Sequence, residues 1–383
     1  MKENESALFS RFIIDGIQQD ATPYEILSEC MADPDTEIPA EDDYADILDE
    51  STDPPITSFT YCESDNELYI KQISGHTEER AFRMLYPETF TRQRIAKALL
   101  DRLWNIGHFR LGDLRLWGEW EWNSRPLGNM AAFYTSAQAA SEYIYDLGCR
   151  MQDYSYDGCD EESSFRIGAW SPENDPTASE NSGEYLFKAS PYESRHPWIK
   201  DERICPETMS ADSGTQIIYI PFDTSPFRLG GSLLAEIKGH NGGVGPHIQD
   251  PDYFIDCYEV VRELVEDGVV VSGTTVMDGG IAAALQKMCG KCGINVNISG
   301  IMSSYMEDDT TRILFSEIPG IIIQVEDSDL DYLDSQLILQ DVAYYNLGKP
   351  TQAFKGIKIL KKSGAAIVGI LASLLDMASE GED

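Results

Sequence analysis

Cys289 and Cys292, separated by Gly290 and Lys291, are the closest-spaced pair among the eight cysteines of the chain. Thiols at this spacing serve as half of a tetrahedral zinc site or as a redox dithiol. Zinc needs two further ligands at suitable spacing, and none is apparent, so the pair is expected to be reduced and free of zinc. His240 and His247 sit in the glycine-rich stretch Gly239-His-Asn-Gly-Gly-Val-Gly-Pro246 and just after it. Protonated imidazoles there could touch an anion, although loop histidines are more often simply solvated. Trp117, Trp120 and Trp122 raise the idea of a stacking platform for bases. Trp120 and Trp122 fall on one face of a strand, however, and packing in a barrel or an interface fits them better. No Walker-type phosphate loop and no Ser/His/Asp triad emerges from spacing.

The chain has 383 residues, with 66 acidic against 29 basic side chains and a formal net charge of −37. Such a balance repels phosphate backbones and anionic membranes, which argues against nucleic acid or a membrane as partner. The acidity is read first as a solubilising surface and second as an acidic docking surface. Hydrophobic residues make up 42% of the sequence, enough for a sizeable core. MKENESALFSRF at the N-terminus has no apolar signal core. The longest apolar run, Ala365 to Leu375, is too short to span a bilayer. A cytoplasmic protein with free thiols is expected.

Residues 12–70 contain no Lys or Arg. Within them, Met31 to Pro55 is an acidic, proline-bearing run that reads as a mobile or draped linker. Residues 8–30 read as a short helix, with Thr22-Pro23 as a break or second start. The domain layout expected is a 1–55 extension, a first domain over 56–190 and a second over 191–383. The first domain should hold strands at Thr57–Tyr61 and Leu68–Ile73 and a helix over Thr89–Trp104. Next come a strand over Leu114–Trp122 and a helix over Met130–Leu147, ended by Gly148. Residues 171–186 read as a loop. The second domain should begin with a strand over Thr215–Phe222 and a glycine-bearing turn, Arg228-Leu-Gly-Gly-Ser232. Asp250 or Asp252 should cap a helix running to Glu266. Further strands are expected at Val269–Ser272, Ile294–Ile298 and Gly320–Val325. Asp278-Gly-Gly-Ile281 should open a helix over Ala282–Cys289, with others near Leu330–Leu339 and Ala365–Ser379. Alternating strands and helices imply an α+β or α/β architecture.

Four blocks carry a resemblance: residues 112–148 (GDLRLWGEWEWNSRPLGNMAAFYTSAQAASEYIYDLG), 227–237 (FRLGGSLLAEI), 277–299 (MDGGIAAALQKMCGKCGINVNIS) and 312–325 (RILFSEIPGIIIQV). In this order and spacing they resemble the synthetase region of phosphoribosylformylglycinamidine synthase, within the AIR synthase-related superfamily. The match is most similar to the second synthetase half of the large form, and it does not extend to the glutaminase domain. The resemblance implies an N-terminal sheet domain that joins another such domain into a barrel, plus a C-terminal α/β domain. A single half leaves a sheet edge unpaired, so the expectation is a homodimer whose interface contains the Leu114–Trp122 strand. A purine-pathway partner subunit or a glutaminase is a further implied partner.

The family reaction is ATP-dependent amidation of an amide carbonyl, an ATP-dependent C–N ligase chemistry of purine biosynthesis. It uses ATP/ADP and Mg²⁺ held by oxygen ligands, with backbone N–H groups on the phosphates. Several positions depart from the family pattern. The family's G-E-A-L-T-N segment reads Ala96-Lys-Ala-Leu-Leu-Asp101, so Lys97 stands where a metal-binding Glu is expected and Asp101 where an Asn is. The family's H-D-x-S-D-G-G motif reads Thr274-Thr-Val-Met-Asp278-Gly-Gly280. Thr274 and Thr275 thus replace its His and Asp. The family's G-K-D-S segment would fall within Asp153–Ser164, where no lysine stands. The nucleotide or phosphate positions that survive are Gly230, Gly231, Ser232, Asp278, Gly279 and Gly280. Asp101 and Glu317 remain as candidate metal ligands. The same glycines would also serve tight turns, and Asp278 a helix cap. The expectation is a synthase-like protein with an eroded Mg-ATP site. The alternatives are a non-catalytic binding or regulatory subunit, or an interaction module using the acidic N-terminal segment.

Overall fold

The computed structural model describes residues 6–34, 45–54, 60–76, 80–105, 109–170 and 203–360. It opens with the short helix α1 (Ser6–Phe9), the hairpin β1 (Arg11–Ile14) and β2 (Ile17–Gln18), and helix α2 (Pro23–Ser28). The single helix expected over 8–30 is broken because Asp15 and Gly16 take φ of 54° and 76° and reverse the chain. An Asp-Gly pair between apolar residues is a hairpin signal. Thr22 starts α2 with a full capping box, its backbone N–H donating to the Glu25 carboxylate at 2.7 Å. Strand β3 (Asp46–Asp49) pairs parallel to β1. Part of the segment read as a linker is therefore sheet, while residues 35–44 lie outside the described residues.

Helix α3 (Asn66–Ser74) takes the place of the strand expected over Leu68–Ile73. Asn66, Tyr69, Ile70 and Ile73 are its buried residues, a helical rather than an alternating spacing. The Thr57–Tyr61 strand, the 171–186 loop and the C-terminal helix fall wholly or mostly outside the described residues, as do the turning points near 55 and 190. Helix α4 (Pro87–Leu100) passes into a 3-10 turn, Asp101–Trp104. Strand β4 (Arg115–Trp122), helix α5 (Asn129–Asp146), β5 (Arg150–Gly158) and β6 (Ser164–Trp170) follow. Gly148, at φ 68°, ends the α5 turn.

In this three-stranded sheet β4 is the centre, parallel to β5 and antiparallel to β6. Both edges of β4 are thus occupied within its own chain. An interface formed by pairing the Leu114–Trp122 strand with a second copy is excluded, since its N–H and C=O groups are already used. The strand that carries Trp120 and Trp122 on one face is buried on both faces. Leu116, Trp120 and Trp122 are buried, but Trp117 and Glu119 on the other face are buried too.

The remainder comprises β7 (Thr215–Pro221), α6 (Leu233–Ile237), α7 (Pro251–Glu266), β8 (Val270–Val276), α8 (Gly280–Cys289) and β9 (Gly293–Val296). Then come α9 (Ser299–Tyr305), α10 (Thr310–Phe315), β10 (Gly320–Glu326), α11 (Leu330–Leu339), β11 (Tyr345–Gly348), β12 (Pro350–Thr351) and β13 (Gly356–Ile359). Asp250 caps α7, its carboxylate accepting the Tyr253 N–H at 3.3 Å. The order β11-β7-β10-β8 forms an antiparallel sheet, which makes the architecture α+β. This sheet is a wall between two cores. Ile321, Ile323 and Val325 face one core, and Ile322 faces the other. The two-residue period explains why Ile321–Ile323 is apolar on both faces, while the buried Gln324 is satisfied by donating to the Ser210 carbonyl and the Thr215 hydroxyl. Each fully buried isoleucine there contributes ~1.5–3 kcal/mol relative to exposure.

Candidate functional site

Arg80 enters from the segment before α4 and brings three carboxylates together. Its Nη1 donates to Asp278 Oδ1 at 2.7 Å and to Glu317 Oε2 at 2.8 Å. Its Nε donates to Glu236 at 3.2 Å and its Nη2 to the Gly231 carbonyl at 2.7 Å. The side chain is only 4% exposed. Four of the roughly five N–H donors of the guanidinium are thereby used. Arg94, in the second half of α4, clamps Asp278 with two parallel bonds of 2.9 Å. Arg83 pairs with Glu236 from the other side. Glu317 is held by more than charge, since its Oε1 accepts the N–H groups of Leu233 at 2.7 Å and Gly279 at 2.8 Å.

Burial alone would push the Asp278 carboxyl up, but Arg94 and then Arg80 overcome it and hold it far below the usual carboxylate range. Burial likewise works against charge on Arg80, and Glu317 and Asp278 reverse that and raise it. Burial, with Arg80 adding repulsion, lowers Arg83 to about 10.

The glycines expected to offer N–H groups to phosphate spend them internally. Gly230 N–H donates to the Val244 carbonyl and Gly231 N–H to the Asn241 carbonyl, each at 2.9 Å. Ser232 N–H donates to Leu229 at 3.1 Å, Gly279 N–H to Glu317 at 2.8 Å and Gly280 N–H to Met277 at 2.8 Å. Ser232 also caps α6, its Oγ accepting the Ala235 N–H at 3.3 Å. The glycines have packing reasons as well. A Cβ on Gly230 would meet the Gly243–Gly245 backbone at 2.4 Å. At Gly280, with φ 66°, one would lie 2.7 Å from two carbonyls.

Lys97, Asp101 and Thr275 form a second cluster. Lys97 Nζ lies 2.6 Å from Asp101 Oδ2, at the i,i+4 spacing of a helical pair. Thr275 Oγ1 donates to Asp101 Oδ1 at 2.7 Å and accepts from the Trp104 indole at 3.0 Å. The Asp101 carboxylate, opposed by partial burial, raises the Lys97 ammonium above its ordinary value. Thr274 points elsewhere and donates to Glu207 at 3.3 Å. Asp101 and Glu317 lie in separate networks. Among the described residues no three metal-type side chains converge on a common point.

A protein of Arabidopsis thaliana named probable phosphoribosylformylglycinamidine synthase, chloroplastic/mitochondrial, is 25% identical over 272 residues, 70% of this chain and 18% of that protein. The Homo sapiens phosphoribosylformylglycinamidine synthase is 23% identical over 280 residues, 72% of this chain and 19% of that protein. The resemblance to phosphoribosylformylglycinamidine synthase holds. This chain spans about a fifth of the length of those synthases. Among solved structures, Thermotoga maritima PurL complexed with FGAR matches with a TM-score of 0.50 and 10% identity, over 73% of this chain and 41% of that one. The fold is therefore AIR synthase-like. No family model matches the chain.

Against the synthase pattern, Arg80, Arg83 and Arg94 are the residues that sequence reasoning missed. Their signal was the density of arginine between 80 and 94 in a strongly acidic chain. Where the synthase G-K-D-S segment was expected, the structure has the β5–β6 turn and an open cleft of about 560 Å³ lined by Arg83, Asn129 and the acidic run Asp160–Glu162. Arg80 already donates to one carboxylate oxygen of Asp278 and one of Glu317, oxygens that an Mg²⁺ ion would need as ligands. Cys289 and Cys292 are buried free thiols at the end of α8. Burial, with Cys292 adding to it, pushes the Cys289 thiol to about 12. The His240 ring accepts the Gly242 N–H at 2.9 Å, and the His247 carbonyl accepts the Ser225 hydroxyl. Trp120 and Trp122 are core residues, donating to Ser136 at 2.9 Å and to the Asn129 carbonyl at 2.7 Å. No helix among the described residues is long and apolar enough to cross a membrane.

Proposed function

We propose that this chain is an AIR synthase-like protein of the purine pathway whose Mg-ATP site is closed by its own arginines, so that alone it does not carry out the amidation of its relatives. The observation that carries this reading is the double clamp on Asp278, with Arg94 at 2.9 Å and Arg80 at 2.7 Å. A carboxylate so neutralised attracts a divalent ion weakly, and Mg²⁺ sheds its waters only for strong anionic ligands. Without that ion the phosphoryl oxygens lack the charge that stabilises their transfer. The internal use of the Gly230, Gly231, Gly279 and Gly280 N–H groups points the same way. Titration of ATP with Mg²⁺ into the full chain by calorimetry should give no saturable heat. A saturable, Mg²⁺-dependent ATP site abolished by Asp278→Asn would overturn the reading.

The role left to such a chain is that of a non-catalytic subunit, as a homodimer or beside another purine-pathway subunit. A barrel shared with a second copy would have to join through β5 or β6, the outer strands of the β4 sheet among the described residues. The start of β5 is already engaged by a parallel bridge between Met31 and Met151. Light scattering at micromolar concentration should report a dimer. A monomer would remove the homodimer from the proposal.

A further inference from the structure

Three carboxylates, Glu236, Asp278 and Glu317, face three arginines, Arg80, Arg83 and Arg94, so the network is neutral as it stands. Within it the partners divide unequally. Arg94 touches only Asp278 and Arg83 only Glu236, while Arg80 alone reaches all three acids and the Gly231 carbonyl. The acceptors surround the fork of the guanidinium on its Nε, Nη1 and Nη2 sides, at 2.7–3.2 Å. The Phe90 ring centroid lies 5.7 Å from the Arg80 guanidinium carbon. Such spacing suits a flat, delocalised monocation with donors spread along its edges, not a metal ion that gathers its oxygens at ~2.0–2.6 Å around one point.

We propose that Glu236, Asp278, Glu317 and the Gly231 carbonyl form a guanidinium receptor, filled in this protein by its own Arg80 and selective for a planar guanidinium group over a metal ion. The proposal rests on the closed-site reading, but its test uses no nucleotide, so either can fail alone. Removing the Arg80 side chain leaves three carboxylates with two arginines, one uncompensated negative charge, and a void of the size and shape of the lost group. A single monocation restores neutrality, whereas a divalent ion overshoots it and must also displace ordered donors. The Leu233 and Gly279 N–H groups still hold Glu317 in place after the deletion, and Arg94 still holds Asp278. The receptor is therefore kept assembled by contacts that do not depend on its occupant.

The experiment compares Arg80→Ala and Arg80→Lys with the wild-type full chain by thermal unfolding at neutral pH, with millimolar methylguanidinium, Ca²⁺ or NaCl of matched ionic strength. Arg80→Ala should melt lower than wild type and regain stability saturably with methylguanidinium. Neither Ca²⁺ nor NaCl should match that gain. Wild type should not respond, and Arg80→Ala combined with Glu317→Gln should lose the rescue. Arg80→Lys keeps the charge but not the fork, and should melt below wild type. The proposal is overturned if Ca²⁺ or NaCl rescues as well as methylguanidinium, if no saturable rescue occurs, or if Arg80→Lys equals wild type. Failure of Arg80→Ala to fold even with methylguanidinium present also overturns it.

Discussion

Two ionic clusters meet on helix α4, built from similar residues and differing in their access to water. At the centre of the first, Arg80 and Glu317 are almost sealed, at 4% and 2% exposure, while Asp278 and Glu236 at its margin are half-buried. Around Lys97 the partners stand open, Lys97 at 37% and Asp101 at 45%. The contact distances hardly differ, 2.7 and 2.8 Å in the first and 2.6 Å in the second. Distance therefore does not rank them. Burial does, because a sealed charge that loses its partner has no water to turn to, whereas an exposed one does. The Arg80 network is thus expected to bind α4 to the loops that follow β8 and precede β10, while the Lys97 pair only decorates that junction.

Glu317→Ala should expose this contrast most sharply. It removes the acceptor for Leu233, Gly279 and Arg80 together, leaving buried donors and a buried guanidinium without it. Breaking a buried pair from one side typically costs ~3–5 kcal/mol. Denaturant unfolding should show a loss of that order. A loss of a few tenths would mean that water reaches the network and that the comparison fails.

An intermediate effect is expected from acid. The Asp278 carboxyl is driven down by Arg94 and Arg80 against its burial, so its folded pKa lies below the ~3.9 of an unfolded aspartate. The folded protein binds fewer protons at this site. The stability Asp278 contributes is then fully present above that unfolded value and is lost as pH falls toward the folded one. Arg80, Arg94 and more distantly Lys97 are the cations that face it. In unfolding measurements from neutral pH downward, wild type should be more stable than Asp278→Asn. The gap should narrow once pH drops below about 4. A gap independent of pH would show that the arginines hold Asp278 by shape alone.

Much of the framework was legible because it depends on short-range rules. The Asp250 cap, the Gly148 stop and the apolar run of β10 each follow from neighbouring residues. The hairpin at Asp15-Gly16 is equally local, but the helical spacing of the apolar residues around it masks the turn. Family resemblance singled out Gly231, Asp278 and Glu317, and the structure gathers them round one guanidinium. It also marked Lys97, Asp101 and Thr275, which do meet. What the sequence could not disclose is that Arg80 supplies the cation. Its partners stand 151 to 237 residues away, and no periodicity reports a contact made across that separation. The position of β4 at the centre of its sheet was hidden for the same reason, since a strand's sequence does not say how many neighbours it has.

The smallest effect belongs to Lys97→Ala. The Lys97–Asp101 pair is a surface helical pair in spite of its short contact, and such pairs are worth ~0.3–0.5 kcal/mol, less in salt. Asp101 keeps the Thr275 hydroxyl as donor when the lysine is gone, so no orphaned charge is created. The helix also loses little, since alanine is at least as good a helix former as lysine. Thermal unfolding of Lys97→Ala at low and high salt should therefore differ from wild type by a small amount that shrinks as salt is added. A loss comparable to that of Glu317→Ala, and insensitive to salt, would place Lys97 inside the buried network. In that case the nearby Asp278, whose charge already helps to raise the lysine, would be its true partner, and the two clusters would be one.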